Sequence, residues 1–131
     1  MFKFWRTPEF IDPEIGILKR AGKGMWYSSS KEGELSVTVE GSKDCPFPQS
    51  LEMARRLLRE GGQVISVAEE FLAQDAQALE FVQSGGKLIC DGFTVYEPQE
   101  FAVEFSLSEW SDAMVTVVFK GGVPCEVQLA D

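Results

Sequence analysis

The last third of the chain alternates apolar and polar residues, and this pattern constrains the fold more than any other feature. Apolar side chains occupy every second position in residues 101–107, 113–119 and 123–129. Successive side chains of a β-strand point to opposite sides, so such runs are typical of strands with one buried face. Together with Phe93 and Val95, they predict three or four antiparallel strands.

Three shorter segments near the N-terminus also have strand character. They are residues 15–19, 24–28 and 34–40, and the third alternates cleanly. Glycines in residues 21–24 and 31–33 predict the tight turns between them, and residues 12–14 predict a further turn. We therefore expect three strands before the middle of the chain.

The middle of the chain changes to a helical period. Residues 49–60 place Leu51, Ala54 and Leu57 at helical spacing, and the pair Gly61-Gly62 predicts the end of that helix. A second helix is predicted from residue 63 to about 83. The prediction is a single α+β domain over residues 1–131, an antiparallel sheet with two helices packed on one face, in the order β-β-β-α-α-β-β-β(β).

The residue inventory favours binding over catalysis. The chain has no histidine, which is the commonest general base and nitrogen ligand for metals. Cys45, Cys90 and Cys125 are too widely spaced for a zinc or thiol-exchange pair. We expect Cys45 in a loop, Cys90 buried or half buried near a turn and Cys125 in the core. With no phosphate-loop or calcium-loop motif, no cofactor and no metal are predicted.

The three scattered cysteines also favour a reducing compartment. No apolar run is long enough for a signal peptide or a membrane span. The expected location is the cytoplasm.

Charge is unevenly distributed along the chain. Residues 1–65 carry 10 basic and 9 acidic side chains, whereas residues 66–131 carry 2 and 12, and the net charge is −9. This balance argues against nucleic-acid or anionic-membrane binding, which need basic patches. It favours a basic protein as partner, because opposite charges steer the encounter.

Side chains that alternate with the predicted core positions point to the opposite side of the sheet. This set contains five glutamates and no lysine or arginine, and the open face is either simply solvated or a partner-binding surface. The glutamates are Glu34, Glu40, Glu100, Glu104 and Glu126.

Two tryptophans have different expected roles. Trp26 lies in a predicted strand and is expected in the core. Trp110 lies in the predicted turn 108–112 and is the residue that we expect to anchor an interaction. Met114 and Val118 are predicted on the outer side of the sheet, where they could support a homo-oligomer.

Residues 10–16, Phe-Ile-Asp-Pro-Glu-Ile-Gly, are followed by Trp26 and the strand at 34–40. This layout resembles the opening of small uncharacterised bacterial domains of unknown function, some of which are suspected toxin-immunity proteins. The resemblance implies a cytoplasmic protein that covers a toxin, and it carries over no catalytic residues.

The leading hypothesis is therefore a binding protein, in one version an immunity-type inhibitor of a basic toxin or nuclease. An alternative is a small enzyme or ligand-binding domain that uses a carboxylate in a pocket between helices and sheet. A homo-oligomeric structural component, pairing through edge strands or through Met114 and Val118, is the third hypothesis.

Overall fold

Four strands, three helices and four more strands follow one another along the chain. The computed structural model describes residues 8–28, 34–97 and 99–131. The elements are β1 (Glu9–Asp12), β2 (Gly16–Arg20), β3 (Met25–Ser28), β4 (Ser36–Glu40), α1 (Pro48–Arg59), α2 (Gly61–Ala73), α3 (Ala76–Gln83), β5 (Leu88–Glu97), β6 (Glu100–Leu107), β7 (Trp110–Lys120) and β8 (Val123–Ala130). The eight strands form one sheet in chain order. The α+β class is confirmed.

One strand pair departs from the predicted antiparallel arrangement. β4 and β5 run parallel, with Ser36 beside Gly92 and Val39 beside Val95, while the other neighbouring pairs are antiparallel. Parallel neighbours need a long crossover, which the three helices supply here. The sheet is therefore mixed, and the prediction of a purely antiparallel sheet is wrong at this pair.

Gly92 permits the close approach of β4 and β5. Its φ is +155°, and a Cβ built there would lie 1.9 Å from the carbonyl oxygen of Ser36. Gly92 also follows a register shift in the pairing of β5 with β6. A larger residue would separate the two strands at the point where the halves of the sheet meet.

The helices and the first strand differ from expectation in two places. The first helix is confirmed as α1, but the predicted second helix is two, because α2 ends at Ala73 and Asp75 is the N-cap of α3. Its Oδ1 accepts a hydrogen bond of 3.0 Å from the N–H of Ala78, as an N-cap residue does. The additional strand β1 has only four residues, too few to show alternation in the sequence.

The helices cover one face of the sheet, which we call the inner face. α1 contacts β4 and β5, α2 contacts β6, β7 and β8, and α3 contacts β8. The predicted inward positions of β4 to β7 are buried beneath them, as is Trp26. These positions are Val37, Val39, Phe93, Val95, Phe101, Val103, Phe105, Leu107, Ala113, Val115, Val117 and Phe119.

The inward set predicted for β8 is wrong at its start. A register shift in the pairing of β7 with β8 places Glu126 opposite Val118 and Pro124 opposite Phe119, so the alternation changes between these positions. Val123 is consequently 61% exposed, and Cys125 is exposed rather than in the core. Cys45 lies in an exposed turn and Cys90 is half buried, as predicted.

The predicted turn at residues 21–24 is confirmed, the turn predicted at 12–14 lies one residue later at 13–15, and the turn predicted at 31–33 lies outside the described residues. Gly121 and Gly122 have φ of +60° and +80°. Two successive positive φ values are typical of the two-residue hairpin turn between β7 and β8.

A buried ion pair attaches the β1–β2 hairpin to α1. Asp12 is 2% exposed, and its Oδ1 accepts hydrogen bonds from Nε and Nη2 of Arg55. Its Oδ2 accepts from the N–H groups of Glu14 at 3.0 Å and Ile15 at 2.9 Å. The Arg55 guanidinium holds the pKa of Asp12 below its ordinary value, against the opposing effect of burial.

Candidate functional site

The sheet face opposite the helices is the candidate site, and we call it the outer face. Glu40 ends β4, Glu100 and Glu104 lie in β6, and Glu126 lies in β8. Their neighbours along each strand, such as Val39, Phe101, Val103 and Val127, point to the inner face. The strand registers therefore place these four predicted glutamates on the same side of one sheet.

The other two predicted site residues do not lie with them. Glu34 precedes β4 and is exposed, so strand geometry does not orient its side chain. Trp110 begins β7 and is half buried, with its ring centroid 4.7 Å from that of Phe81 in α3. Trp110 therefore packs on the helix-covered side of the sheet, and the carboxylates occupy the other side.

The outer face also carries positive charge, contrary to the sequence prediction. Lys120 pairs with Glu100 across β6 and β7, and Lys19 pairs with Tyr27 across β2 and β3. Lys120 was not assigned to the face because it follows the last inward residue of its run, Phe119. The acidic area is consequently bounded by lysine at one end of β7.

Glu104 is the most desolvated of the four glutamates on this face. Its Oε1 accepts a hydrogen bond of 2.7 Å from Oγ1 of Thr94, which is 6% exposed. Burial raises the pKa of Glu104 above its ordinary value, and the nearby Asp91 carboxylate raises it further, while the Thr94 hydrogen bond lowers it. The ionised form of this carboxylate is therefore disfavoured by its surroundings.

Sequence reasoning missed two residues of the outer face beside Glu104. Asp91 lies at the register shift of β5, where its Oδ1 accepts a hydrogen bond of 3.0 Å from Oγ of Ser106. Tyr96 is 38% exposed, and burial together with Glu104 and Glu100 raises the pKa of its hydroxyl. The dipeptide Asp91-Gly92 inside an apolar run was the available signal, because glycine in a strand often marks a bulge.

Exposed apolar side chains accompany the carboxylates. Ile89 is 47% exposed and Met114 is 51% exposed, and both pair with Ser106 from opposite sides. Val118 is only 5% exposed and Ala102 is fully buried, although both point to the outer face. Val118 therefore does not provide the exposed apolar contact that the homo-oligomer hypothesis assigned to it.

The carboxylates form a broad charged surface. Glu100 and Glu104 are about 13 Å apart along β6, because a strand rises about 3.3 Å per residue. In the described part of the chain, no cluster of three or more Cys, Asp or Glu residues could hold a metal ion. The arrangement suits contact with an extended basic surface.

The helix side of the sheet contains the buried carboxylate of Asp12, whose two oxygens accept hydrogen bonds from Arg55 and from the backbone. The pocket-carboxylate hypothesis calls for an unpaired buried acid. Asp12 is instead paired, and its hydrogen bonds link the β1–β2 hairpin to α1.

Among the residues that the structure describes, no helix has the length and apolarity needed to cross a bilayer. No protein-family model, curated protein or solved structure matches this chain.

Proposed function

We propose that this is a binding protein whose outer face engages a basic protein partner. The observation that carries the proposal is the placement of carboxylates from β4, β5, β6 and β8 on one sheet face, opposite the face that the described helices contact. A partner with lysine and arginine side chains at similar spacing would be attracted and oriented by this field.

The environment of Glu104 supports this proposal. Desolvation raises the pKa of its carboxyl group, so the ionised form at neutral pH is held at a cost to the folded state. A cation docked beside Glu104 would relieve that cost. Residues with perturbed pKa values are enriched at functional sites for this kind of reason.

The outer face also carries the exposed apolar and aromatic side chains that protein interfaces usually contain. Ile89 and Met114 are exposed near the Asp91 and Glu104 carboxylates, and Tyr96 lies beside Glu104. Protein interfaces combine an apolar, aromatic centre with a polar rim. The same surface thus offers charge for attraction and apolar area for stable contact.

One version of the proposal is an immunity-type inhibitor in the bacterial cytoplasm that covers a basic toxin or nuclease. The acidic outer face supports it by charge complementarity with a nucleic-acid-binding site. In this version the captured partner loses its activity in proportion to the inhibitor added.

The test is affinity capture from a lysate of the source organism with three baits, each at low and high salt. The baits are the natural protein, the double variant Glu100→Lys with Glu126→Lys on the outer face, and the control Glu69→Lys with Glu70→Lys on α2. Both double variants change the net charge equally, and Glu69 and Glu70 are exposed on a helix. Mass spectrometry identifies the retained proteins.

We expect a basic protein on the natural bait that is weakened by salt, kept by the α2 variant and lost by the outer-face variant. Equal loss from both variants would show that net charge alone matters and would contradict an outer-face site. Retention of the partner by the outer-face variant would also contradict an outer-face site.

A further inference from the structure

A groove lies on the inner side of the molecule, separate from the outer face. It encloses about 510 Å³ between the end of α1, the start of α2 and the sheet ends that carry the turns at Gln99 and Gly121-Gly122. This volume lies within the range of about 300–1,000 Å³ that is usual for small-molecule sites.

The floor of the groove is apolar. Phe101 and Phe119 stack there with ring centroids 4.8 Å apart and planes at 13°, and both rings are almost fully buried. Val64 and Val67 of α2 and Met53 of α1 are half buried and supply the accessible apolar wall. The floor suits an apolar side chain or ring.

The glycine turn keeps one side of the groove open. Side chains at Gly121 and Gly122 would meet nothing within 4 Å, so the space in front of them is free. The β7–β8 turn thereby exposes backbone where most residues would place a side chain.

The rim of the groove pairs opposite charges. Nε of Arg56 is 3.7 Å from Oε2 of Glu60, and these side chains are 63% and 57% exposed. That distance is beyond a hydrogen bond, and such an exposed pair contributes little, so both groups can exchange partners readily. Gln63 and Gln99 add amide groups that donate and accept.

We infer that the groove binds a small zwitterion with an apolar body, namely a hydrophobic amino acid, whose ammonium and carboxylate groups are as close together as Arg56 and Glu60. Arg56 holds the carboxylate, Glu60 holds the ammonium group, and the apolar body lies over the floor beside Val64. A ligand with both charges leaves neither rim group unsatisfied, whereas a ligand with one charge repels one of them.

The experiment titrates three probes with the same phenyl body into the protein. L-Phenylalanine carries both charges, 3-phenylpropanoate lacks the ammonium group, and 2-phenylethylamine lacks the carboxylate. Two-dimensional amide NMR reports shifts at Gln63, Val64, Gly121 and Gly122. We expect phenylalanine to bind about threefold to fivefold more tightly than either single-charge probe, since ion pairs formed by such exposed groups contribute only a modest factor.

Two charge variants are each expected to remove a different one of these two binding preferences. Arg56→Gln removes the advantage of phenylalanine over phenylethylamine, and Glu60→Gln removes its advantage over phenylpropanoate. Glu70→Gln, on the exposed side of α2, is the matched control and changes neither preference. Val67→Trp fills the groove and abolishes binding of all three probes, and the amide spectrum itself reports whether that variant is folded.

The inference is overturned if none of the probes shifts the groove amides at millimolar concentration. It is equally overturned if the charge preference is unchanged in Arg56→Gln and Glu60→Gln. Neither outcome affects the outer-face proposal, because these residues line the opposite side of the sheet and the test needs no protein partner.

Discussion

The two halves of the sheet are held to the helices by different kinds of contact. Strands β1 to β4 have four or five residues each, and the described salt bridges all lie between residues 12 and 60. Strands β5 to β8 have 8 to 11 residues each, and β5 to β7 bury long rows of apolar side chains. In the first half, the ion pairs of Asp12 with Arg55 and of Glu14 with Arg59 add to the buried side chains of β2 to β4, whereas no described salt bridge reaches β5 to β8.

The largest expected effect tests the apolar half. Phe105→Ala removes a ring that is 2% exposed in the centre of β6. We expect the free energy of unfolding to fall by about 4 kcal/mol, because the substitution loses transfer free energy and leaves a cavity. Urea denaturation at pH 4.5 and pH 7 measures it.

The loss should be nearly the same at both pH values and at high salt, because no charge is involved. A loss that varied strongly with pH would show that charges also secure β5 to β8 and would remove the contrast between the halves.

Asp12→Ala tests the charged half and should have the next largest effect. The substitution removes the hydrogen bonds that Asp12 accepts, while Arg55 is 26% exposed and keeps Glu52 as a partner, so we expect a loss of about 2 kcal/mol. The folded-state pKa of Asp12 is lowered from 3.8, mainly by Arg55. The stabilisation is therefore present above pH 3.8 and is lost as the pH falls through the lower folded-state pKa.

Urea denaturation at pH 7 and at decreasing acidic pH should show the stability difference between Asp12→Ala and the natural protein shrinking. The control is Glu14→Gln, which breaks the more exposed pair of Glu14 with Arg59. A control loss as large as that of Asp12→Ala would contradict a special role for the buried carboxylate.

Glu104→Gln should have the smallest effect and the opposite sign. Desolvation raises the folded-state pKa of Glu104, so folding is favoured when the carboxyl is protonated and loses stability as the pH rises from 4.5 through the folded-state pKa. Glutamine can still accept the hydrogen bond from Thr94 and carries no charge. We expect a gain of a fraction of a kcal/mol at pH 7 that disappears in acid.

Thermal unfolding of the variant and the natural protein across this pH range measures the difference, with Glu70→Gln as an exposed control. Destabilisation at pH 7 would mean that the carboxylate is needed for folding, and the outer-face proposal would lose its support from Glu104.

The difference between the short strands β1 to β4 and the long strands β5 to β8 also decides how much of the fold could be predicted from sequence. In the long strands the alternation around Phe93, Val103 and Val117 is a local signal, and it identified the inner and outer faces. β1 has too few residues for a period to appear. The register shift near Cys125 reversed the pattern in β8, and Pro124 was the signal that could have indicated it.

Pairings between distant segments left no local signal. The parallel alignment of Ser36 with Gly92 depends on how three helices return the chain to the sheet. The groove likewise depends on α1, α2 and two turns that meet only in the folded molecule. By contrast, the outer-face position of Glu100 and Glu104 followed directly from the period of β6.

The parallel pairing of β4 with β5 has a consequence for the order of folding. The hairpins within each half join residues that are close in sequence, whereas Ser36 meets Gly92 only after a long loop closes. We expect the hairpins to form first and this pairing to form late. Until then β4 and β5 are open edges, able to pair with each other or with the same strands of another copy.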